Sequence, residues 1–204
     1  MTQRLLRVDA PAPALYQPSM ILLRHGQSSF NLAFTATRRD PGIPDPHLTP
    51  LGQRQAEAAA EALADAGIEH IVASPYTRAL QTATPVARRL GLPIVVNPLV
   101  RERYAFSCDI GSSRDTLAAA WPDIDFSHLG DAPWWPAMEE PEAQTLARAR
   151  LFRAEMAALP GWRNTLVVSH WGFILSVTGE SMANGDWLRC DPTTPGPTEI
   201  VWHP

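Results

Sequence analysis

Two short stretches of this chain end in the same way, and they constrain its fold more than any other feature. Residues 20–23 and 165–168 are mainly apolar, and each run is followed within two positions by a histidine, His25 or His170. An apolar run bounded by polar residues and glycine is typical of a buried strand. Ligands of open α/β sheets bind beyond the carboxyl ends of the strands. We therefore expect both histidines to meet at one site, where Arg24 adds a fixed positive charge.

Strands and helices are predicted to alternate along the rest of the chain. Thr49-Pro50 is typical of a helix start, with threonine as the cap and proline at the first helical position. Helices are predicted at residues 50–66, 76–90 and 142–159, and further strands at 68–73, 93–96 and 198–202. This alternation predicts an α/β fold, a three-layer sandwich in which helices flank a mostly parallel central sheet.

The chain is predicted to form one domain over residues 1–204. Residues 1–18 are expected to be an N-terminal extension, and residues from about 103 to 141 a cap-like insert between the two histidine strands. Trp121, Trp134 and Trp135 lie in this insert. We expect them to form its small core, the alternative being contact with an apolar part of a substrate.

Composition excludes several classes of function. The net charge is −4, which argues against nucleic-acid or membrane-surface binding. All 17 basic residues are arginines, so lysine-based covalent chemistry is excluded. The two cysteines form neither a disulfide framework nor a zinc cluster, and the histidines have no metal-ligand spacing, so no metal or cofactor is expected. Without a secretory or membrane-spanning segment, the expected location is cytoplasmic; the oligomeric state stays open, a homodimer among the options.

Five ordered segments together resemble the histidine phosphatase superfamily, the phosphoglycerate mutase-like proteins. The first is Arg-His-Gly-Gln-Ser, which is followed by an asparagine six residues after the histidine. The segments are residues 24–28 with Asn31, 48–56, 74–83, 101–103 and 168–172. A single Arg-His-Gly would be weak, but five segments in the right order are specific.

The resemblance implies a role for each matching residue. His25 is the expected nucleophile, while Arg24, Arg78 and His170 hold the phosphoryl oxygens and Glu102 is the general acid. The residue types suit this chemistry, because imidazole is neutral and nucleophilic near pH 7 and guanidinium binds phosphoryl oxygens in a bidentate fork. Placing Arg78 in the first turn of a helix opposes the helix dipole, which also favours a functional role.

For some of these residues another role, or another residue for the same role, fits the sequence as well. Ser28, Asn31 and Gln27 are candidate substrate-binding residues, although serine and asparagine also cap helices. Three other acids could replace Glu102 as the proton donor, namely Glu139, Glu140 and Glu142.

Residues 108–114 also fit the C-x-x-G-x-x-R loop of cysteine-dependent phosphatases. The preceding segment is a poor strand and Asp109 would repel a phosphate, so we interpret the match as coincidental. Arg114 could still contact the distal part of a substrate.

The predicted function is a metal-independent phosphomonoesterase that forms a phosphohistidine and acts on a small phosphorylated metabolite. The mutases of the family carry a lysine and paired arginines in the insert, and this chain has no lysine. A mutase-type phosphotransferase and a non-catalytic phosphate-binding module remain the alternatives.

Overall fold

The computed structural model describes residues 19–200 and contains a five-stranded sheet between two layers of helices. The strands, in chain order, are β1 (Met20–Arg24), β2 (His70–Ala73), β3 (Ile94–Val96), β4 (Thr165–Ser169) and β5 (Trp187–Cys190). The helices are α1 (Ser29–Thr37), α2 (Pro50–Ala62), α3 (Thr77–Leu90), α4 (Arg114–Ala120), α5 (Glu142–Ala158) and α6 (Trp171–Thr178). The sheet order is β3-β2-β4-β1-β5, and only the β1–β5 pair is antiparallel. The predicted fold class is therefore confirmed.

Each face of the sheet packs on its own core. Alternate residues of β1 point to opposite faces, as the two-residue period of a strand requires. Ile21 and Leu23 join the core beneath α2 and α3, and Met20 and Leu22 join the core beneath α5 and α6. All four are at most 1% exposed. This two-sided burial explains why β1 is a continuous apolar run.

A close backbone contact joins the loop after β1 to the start of α2. A Cβ atom on Gly26 would lie 2.4 Å from the carbonyl oxygen of Gly52, and one on Gly52 would lie 2.1 Å from the carbonyl oxygen of Gln27. Thr49 caps α2 by accepting a hydrogen bond from the amide of Gly52 at 3.1 Å. Only glycine fits at either position, so this contact fixes the loop that carries His25.

Several predicted boundaries are corrected. Helix α2 ends four residues earlier than predicted, because the backbone turns after Ala62 towards Gly67, which has a φ of +70°. The last described strand is β5, whereas residues 198–200 of the predicted strand at 198–202 are not extended in a sheet and residues 201–202 lie outside the described part of the chain. Helices α4 and α6 were not predicted.

The predicted insert holds α4 and two single-turn 3-10 helices. Trp121 and Trp134 pack against the core under α2 and α3, and Trp134 contacts Trp135 edge-to-face. The predicted N-terminal extension, residues 1–18, lies outside the described residues. Between residues 19 and 200, no helix has the length and apolar character needed to cross a bilayer.

Candidate active site

Strands β1 and β4 deliver the two histidines to the same edge of the sheet. The strands pair in parallel with Arg24 opposite Ser169, so His25 and His170 follow at matching positions. Their ring centroids are 5.1 Å apart, and the rings are inclined at 58°. Both side chains are buried. His25 and His170 are therefore adjacent, as the sequence pattern predicted.

The imidazole of His25 is held in one tautomer. Its Nδ1 lies 2.7 Å from the carbonyl oxygen of Gly26, and a carbonyl only accepts, so Nδ1 carries the hydrogen and donates it. In a neutral ring the lone pair is then on Nε2. Burial lowers the pKa of His25 well below its ordinary value, and the positive charges of Arg78 and Arg24 lower it further. His25 is consequently a neutral imidazole with a free Nε2 lone pair near pH 7.

His170 is equally buried but differently bonded. Its Nε2 lies 2.8 Å from the hydroxyl oxygen of Ser74, and its Nδ1 has no hydrogen-bond partner. The ring also packs edge-to-face on Tyr76, with centroids 5.1 Å apart. Burial and the nearby charge of Arg78 lower the pKa of His170 well below its usual range. An unpartnered buried ring nitrogen is costly, and such groups concentrate where a ligand binds.

Two arginines approach the histidines from different elements. Arg24, at the end of β1, donates from Nη1 to the carbonyl oxygen of Met182, and its Nε has no partner. Burial lowers the pKa of Arg24 to about 10, which leaves it charged at neutral pH. Arg78, in the first turn of α3, donates to the carbonyl oxygen of Cys108 at 2.7 Å and to Oδ1 of Asp109 at 3.1 Å.

Glu102 lies across the N-terminus of α6. Its Oε1 accepts from the amides of Arg103 at 2.8 Å and Phe173 at 3.0 Å, and its Oε2 accepts from the amide of Gly172 at 3.0 Å. Burial raises the pKa of Glu102, and the charge of Asp109 raises it further, against the opposing effect of these hydrogen bonds. A carboxyl with a raised pKa at a site of positive charge is suited to proton transfer.

The side chains of Arg24, His25, Arg78 and Glu102 open into one cavity of about 900 Å³. Its other walls come from α1, from the insert, from the first residues of α5 and α6, and from the segment after α6. They include Ser28, Phe30, Asn31, Phe34, Arg38, Ala105, Phe106, Asp109, Glu139, Glu142, Trp171 and Asn184. The volume exceeds what a phosphate group alone requires, so the cavity can also hold the group attached to the phosphate.

The competing acids are arranged differently from Glu102. Glu139 and Glu142 line the cavity and are exposed. Glu140 is 4% exposed and pairs with Arg148, whose Nη2 lies 2.7 Å from its Oε2. Of these four glutamates, Glu102, Glu139 and Glu142 line the cavity, and only Glu102 is hydrogen-bonded to the helix that follows His170.

The three predicted substrate-binding residues separate into two groups. Ser28 and Asn31 line the cavity, and they also form the capping box of α1, so both sequence interpretations apply to the same residues. Asn31 Oδ1 accepts from Asn184 as well, at 3.2 Å. Gln27 is not brought to the cavity: its Oε1 accepts from the hydroxyl of Thr49 at 2.9 Å. The side chain of Gln27 therefore points to the start of α2.

The cysteine loop does not form a phosphatase site. Cys108 is buried, and burial raises the pKa of its thiol, which disfavours the thiolate nucleophile. Arg114 is paired with Asp115 and Asp131 and does not line the cavity. Cys108 lines the cavity but Arg114 does not, so the two residues do not meet as the motif would require, in agreement with the interpretation of the match as coincidental.

Sequence reasoning missed several cavity residues. Asp109 had been interpreted only as a charge that would repel phosphate, whereas it pairs with Arg78. Trp171 lies within the last of the five matching segments but was given no role, and Asn184 comes from a segment without a recognisable motif. The apolar run that continues after His170 was the one available signal for α6. Within the described residues 19–200, no three His, Cys, Asp or Glu side chains are grouped so as to hold a metal ion.

Comparisons with known proteins agree with this geometry. The family model described as histidine phosphatase superfamily (branch 1) matches residues 20–194. Glucosyl-3-phosphoglycerate phosphatase of Mycobacterium tuberculosis is 32% identical over 167 residues, which cover 78% of this chain and 73% of that protein. A probable phosphoglycerate mutase of Proteus mirabilis is 32% identical over 158 residues, covering 73% of this chain and 67% of that protein.

Solved structures have the same fold. The native structure of mycobacterial glucosyl-3-phosphoglycerate phosphatase superposes with a TM-score of 0.59 at 29% identity, covering 83% of this chain and 88% of that one. The complex of that phosphatase with inorganic phosphate superposes with a TM-score of 0.57 at 28% identity, covering 84% and 88% of the two chains.

Proposed function

The chain belongs to the histidine phosphatase superfamily, and from this membership we propose that it hydrolyses phosphomonoesters through a phosphohistidine formed on His25. The observation that carries the proposal is the hydrogen bond from His25 Nδ1 to the Gly26 carbonyl. It leaves the Nε2 lone pair of a neutral imidazole beside two guanidinium groups. That combination is what attack on a phosphate dianion requires.

The first step transfers the phosphoryl group to the enzyme. Nε2 of His25 attacks phosphorus, the P–O bond to the leaving group breaks, and Glu102 gives its proton to the departing oxygen. Arg24 and Arg78 bind the equatorial oxygens. The hydroxyl of Ser74 donates to His170 Nε2, so that Nδ1 carries a hydrogen and donates to a phosphoryl oxygen. The unpartnered state of His170 Nδ1 and Arg24 Nε supports these roles.

The second step returns the enzyme to its starting state. Glu102, now a carboxylate, removes a proton from a water molecule, and the resulting hydroxide attacks phosphorus. The P–N bond breaks, the electron pair returns to Nε2 of His25, and inorganic phosphate leaves. The raised pKa of Glu102 supports both of its roles, since the group exchanges a proton more readily near neutral pH.

We extend the proposal to a small phosphorylated metabolite as the substrate. The relatives named glucosyl-3-phosphoglycerate phosphatase make a phosphorylated glycerate with a sugar attached one candidate. Asn31 and Ser28 would contact the phosphate side of this substrate. A cytoplasmic location is part of the proposal.

The test is a phosphoenzyme trap. Brief incubation with a labelled phosphoester, followed by denaturation, should give protein-bound label that is stable in base and lost in acid. We expect His25→Ala to abolish the label and Cys108→Ser, the matched control for the other candidate nucleophile, to retain it. Label that survives in His25→Ala, or that depends on Cys108, contradicts the proposal.

Two further measurements separate the alternatives. Release of inorganic phosphate should persist with a chelator present; loss of activity that added metal restores would contradict the metal-independent mechanism. With 3-phosphoglycerate as substrate, hydrolysis should exceed transfer of the phosphoryl group to the 2-position. The mutase alternative predicts the reverse, and the binding-module alternative predicts neither product across a panel of phosphoesters.

A further inference from the structure

Three phenylalanine rings form a cluster on one wall of the active-site cavity. Phe30 and Phe34 come from successive turns of α1, and Phe106 comes from the insert. Their ring centroids are 5.4 Å apart for Phe30–Phe34, 5.7 Å for Phe30–Phe106 and 5.1 Å for Phe34–Phe106. Each ring therefore touches the other two, within the range in which aromatic pairs attract.

The cluster is buried on one side and open on the other. Phe30 is 5% exposed and forms the base, whereas Phe106 is 39% exposed. Phe34 is partly buried, and all three rings line the cavity. Exposed aromatic surface inside a concave site is a binding surface for an apolar face, since covering it removes apolar area from water.

A single carboxylate connects this wall to the phosphate-binding end of the cavity. Asp109 Oδ2 accepts from the backbone amides of Ala105 at 3.0 Å and Phe106 at 3.1 Å, and its Oδ1 accepts from Arg78. The backbone of Phe106 and the guanidinium of Arg78 are thus bonded to opposite oxygens of one side chain. The aromatic wall and Arg78 also line the same cavity, so a group attached to the bound phosphate shares that cavity with the wall.

The position of Phe106 is also fixed from its other side. The amide of Ser107 donates to Oδ2 of Asp40 at 2.8 Å, and the hydroxyl of Ser107 donates to Oδ1 of the same aspartate. Asp40 follows the C-terminal end of α1, which carries Phe30 and Phe34. The two segments that build the wall are therefore tied together, so that the wall is preformed and its ordering does not oppose binding.

We propose that Phe34 and Phe106 form a leaving-group subsite that selects phosphoesters whose leaving group carries a ring with an apolar face. This inference rests on the proposed function, because the subsite is defined relative to the phosphate position. The ring can be an aryl group or the apolar face of a saturated ring such as a pyranose, since both present flat C–H or π surface to the phenyl groups. Short acyclic polyol phosphates have no such flat surface and gain no binding free energy from the aromatic wall.

The experiment measures binding of phosphonates, which are not hydrolysed, by titration calorimetry. The probes are methylphosphonate, phenylphosphonate and cyclohexylphosphonate. We expect both ring-bearing probes to bind about tenfold more tightly than methylphosphonate, the gain from covering one ring face. Comparing phenylphosphonate with cyclohexylphosphonate shows whether the subsite favours an aromatic or a saturated ring. Tighter binding of either one than of methylphosphonate supports the subsite.

The decisive variant is Phe106→Ala, because its ring is exposed enough for truncation to leave the fold intact. It should reduce the ring preference, the ratio of the affinities for ring-bearing and methyl phosphonates, to about twofold or less. Leu32→Ala is the matched control: Leu32 lies on α1, is 57% exposed and does not line the cavity. A wild-type protein without ring preference, or equal effects of Phe106→Ala and Leu32→Ala, would overturn the proposal.

Failure of the subsite proposal can be distinguished from failure of the phosphatase proposal. If no phosphoester is hydrolysed but ring-bearing phosphonates bind more tightly and Phe106→Ala removes that preference, the subsite is supported and the catalytic proposal fails. If esters are hydrolysed and Phe106→Ala lowers kcat/KM equally for phenyl phosphate and glycerol phosphate, the catalytic proposal stands and the subsite is wrong.

Discussion

The carboxylate of Asp109 forms an ion pair with the guanidinium of Arg78, with Oδ1 3.1 Å from Nη2 and both side chains at most 3% exposed. An acid thus lies within the site that is proposed to bind an anion. Its charge holds Arg78 in place, because a buried guanidinium without a partner would be strongly unfavourable. The same charge contributes to the raised pKa of Glu102, after the larger effect of burial.

Replacing Asp109 with asparagine should therefore shift the pH dependence of catalysis. Removal of the negative charge lowers the pKa of Glu102 towards its ordinary value, so less of the protonated acid remains as pH rises. We expect the alkaline limb of kcat/KM for an alkyl phosphate to move to lower pH in Asp109→Asn. The exposed Asp115, paired with Arg114, provides the control variant Asp115→Asn. An unchanged alkaline limb in Asp109→Asn would argue against this coupling.

Glu102→Gln should affect substrates according to their leaving groups. An alkoxide needs a proton when it departs, and general acid catalysis of this kind contributes about 10²–10⁴-fold. A nitrophenolate leaves without protonation, so the loss for p-nitrophenyl phosphate should be far smaller. Steady-state kinetics on both esters checks this, with Glu142→Gln as the control because Glu142 also lines the cavity. Equal losses on the two esters would show that Glu102 is not the acid.

Arg148 holds the segment that carries Glu102. It donates to the carbonyl oxygens of Leu99 at 2.9 Å and Arg101 at 2.7 Å, and it pairs with Glu140 through Nε and Nη2. Its guanidinium also lies 4.9 Å from the ring centroid of Phe173, whose amide donates to Glu102. Arg148 is therefore a positioning residue for the acid.

Arg148→Met should show both a structural and a kinetic effect. It leaves the buried Glu140 with Arg101 as its remaining partner, at 3.2 Å, so we expect a loss of unfolding free energy below the roughly 3–5 kcal/mol of a fully unpaired buried charge. Chemical denaturation measures this loss. Adding Glu140→Leu should recover much of the stability, while the alkyl ester stays slower than the aryl ester relative to wild type. If the double variant also restores the alkyl rate, Arg148 acts on stability alone. Arg150→Met, on the exposed side of α5, is the control.

The sequence predicted the parts of the site that depend on local pattern. The runs before His25 and His170 are apolar because both faces of β1 and β4 are covered, and that pattern is visible in one dimension. Helix α6 was missed for a related reason: the apolar residues continue past His170, and a fully buried helix has no polar face to reveal its period.

Other features depend on contacts between distant segments. The pairing of Asp109 with Arg78 joins residues 31 positions apart, and no local signal at Asp109 indicates it. Gln27 lies within the most specific motif, yet its side chain bonds to Thr49 because the contact between Gly52 and the loop after β1 brings α2 against it. Motif membership indicated the segment that reaches the site, whereas packing decided which side chains enter it.

The buried histidines should make stability depend on pH in the mildly acidic range. The pKa values of His25 and His170 are lowered in the folded protein, so the unfolded chain binds more protons below about pH 6.5. The free energy of unfolding should therefore fall as pH falls below that value, by up to about 1.4 kcal/mol per pH unit for each histidine. The raised pKa values of Glu102 and Asp109 have the opposite effect on stability. In the folded protein these carboxyls keep their protons to higher pH, so their contribution to the free energy of unfolding is lost as pH rises.

Comparing variants isolates the histidine contribution. In His170→Gln, the slope of unfolding free energy against pH between about 5 and 6.5 should decrease by up to about 1.4 kcal/mol per pH unit. His128→Gln is the matched control, because His128 is exposed and lies outside the cavity. Urea denaturation across this range measures both. Because the carboxyl contributions are common to all three proteins, a wild-type slope equal to that of His170→Gln would mean that His170 is protonated in the folded state, contrary to its burial as a neutral ring.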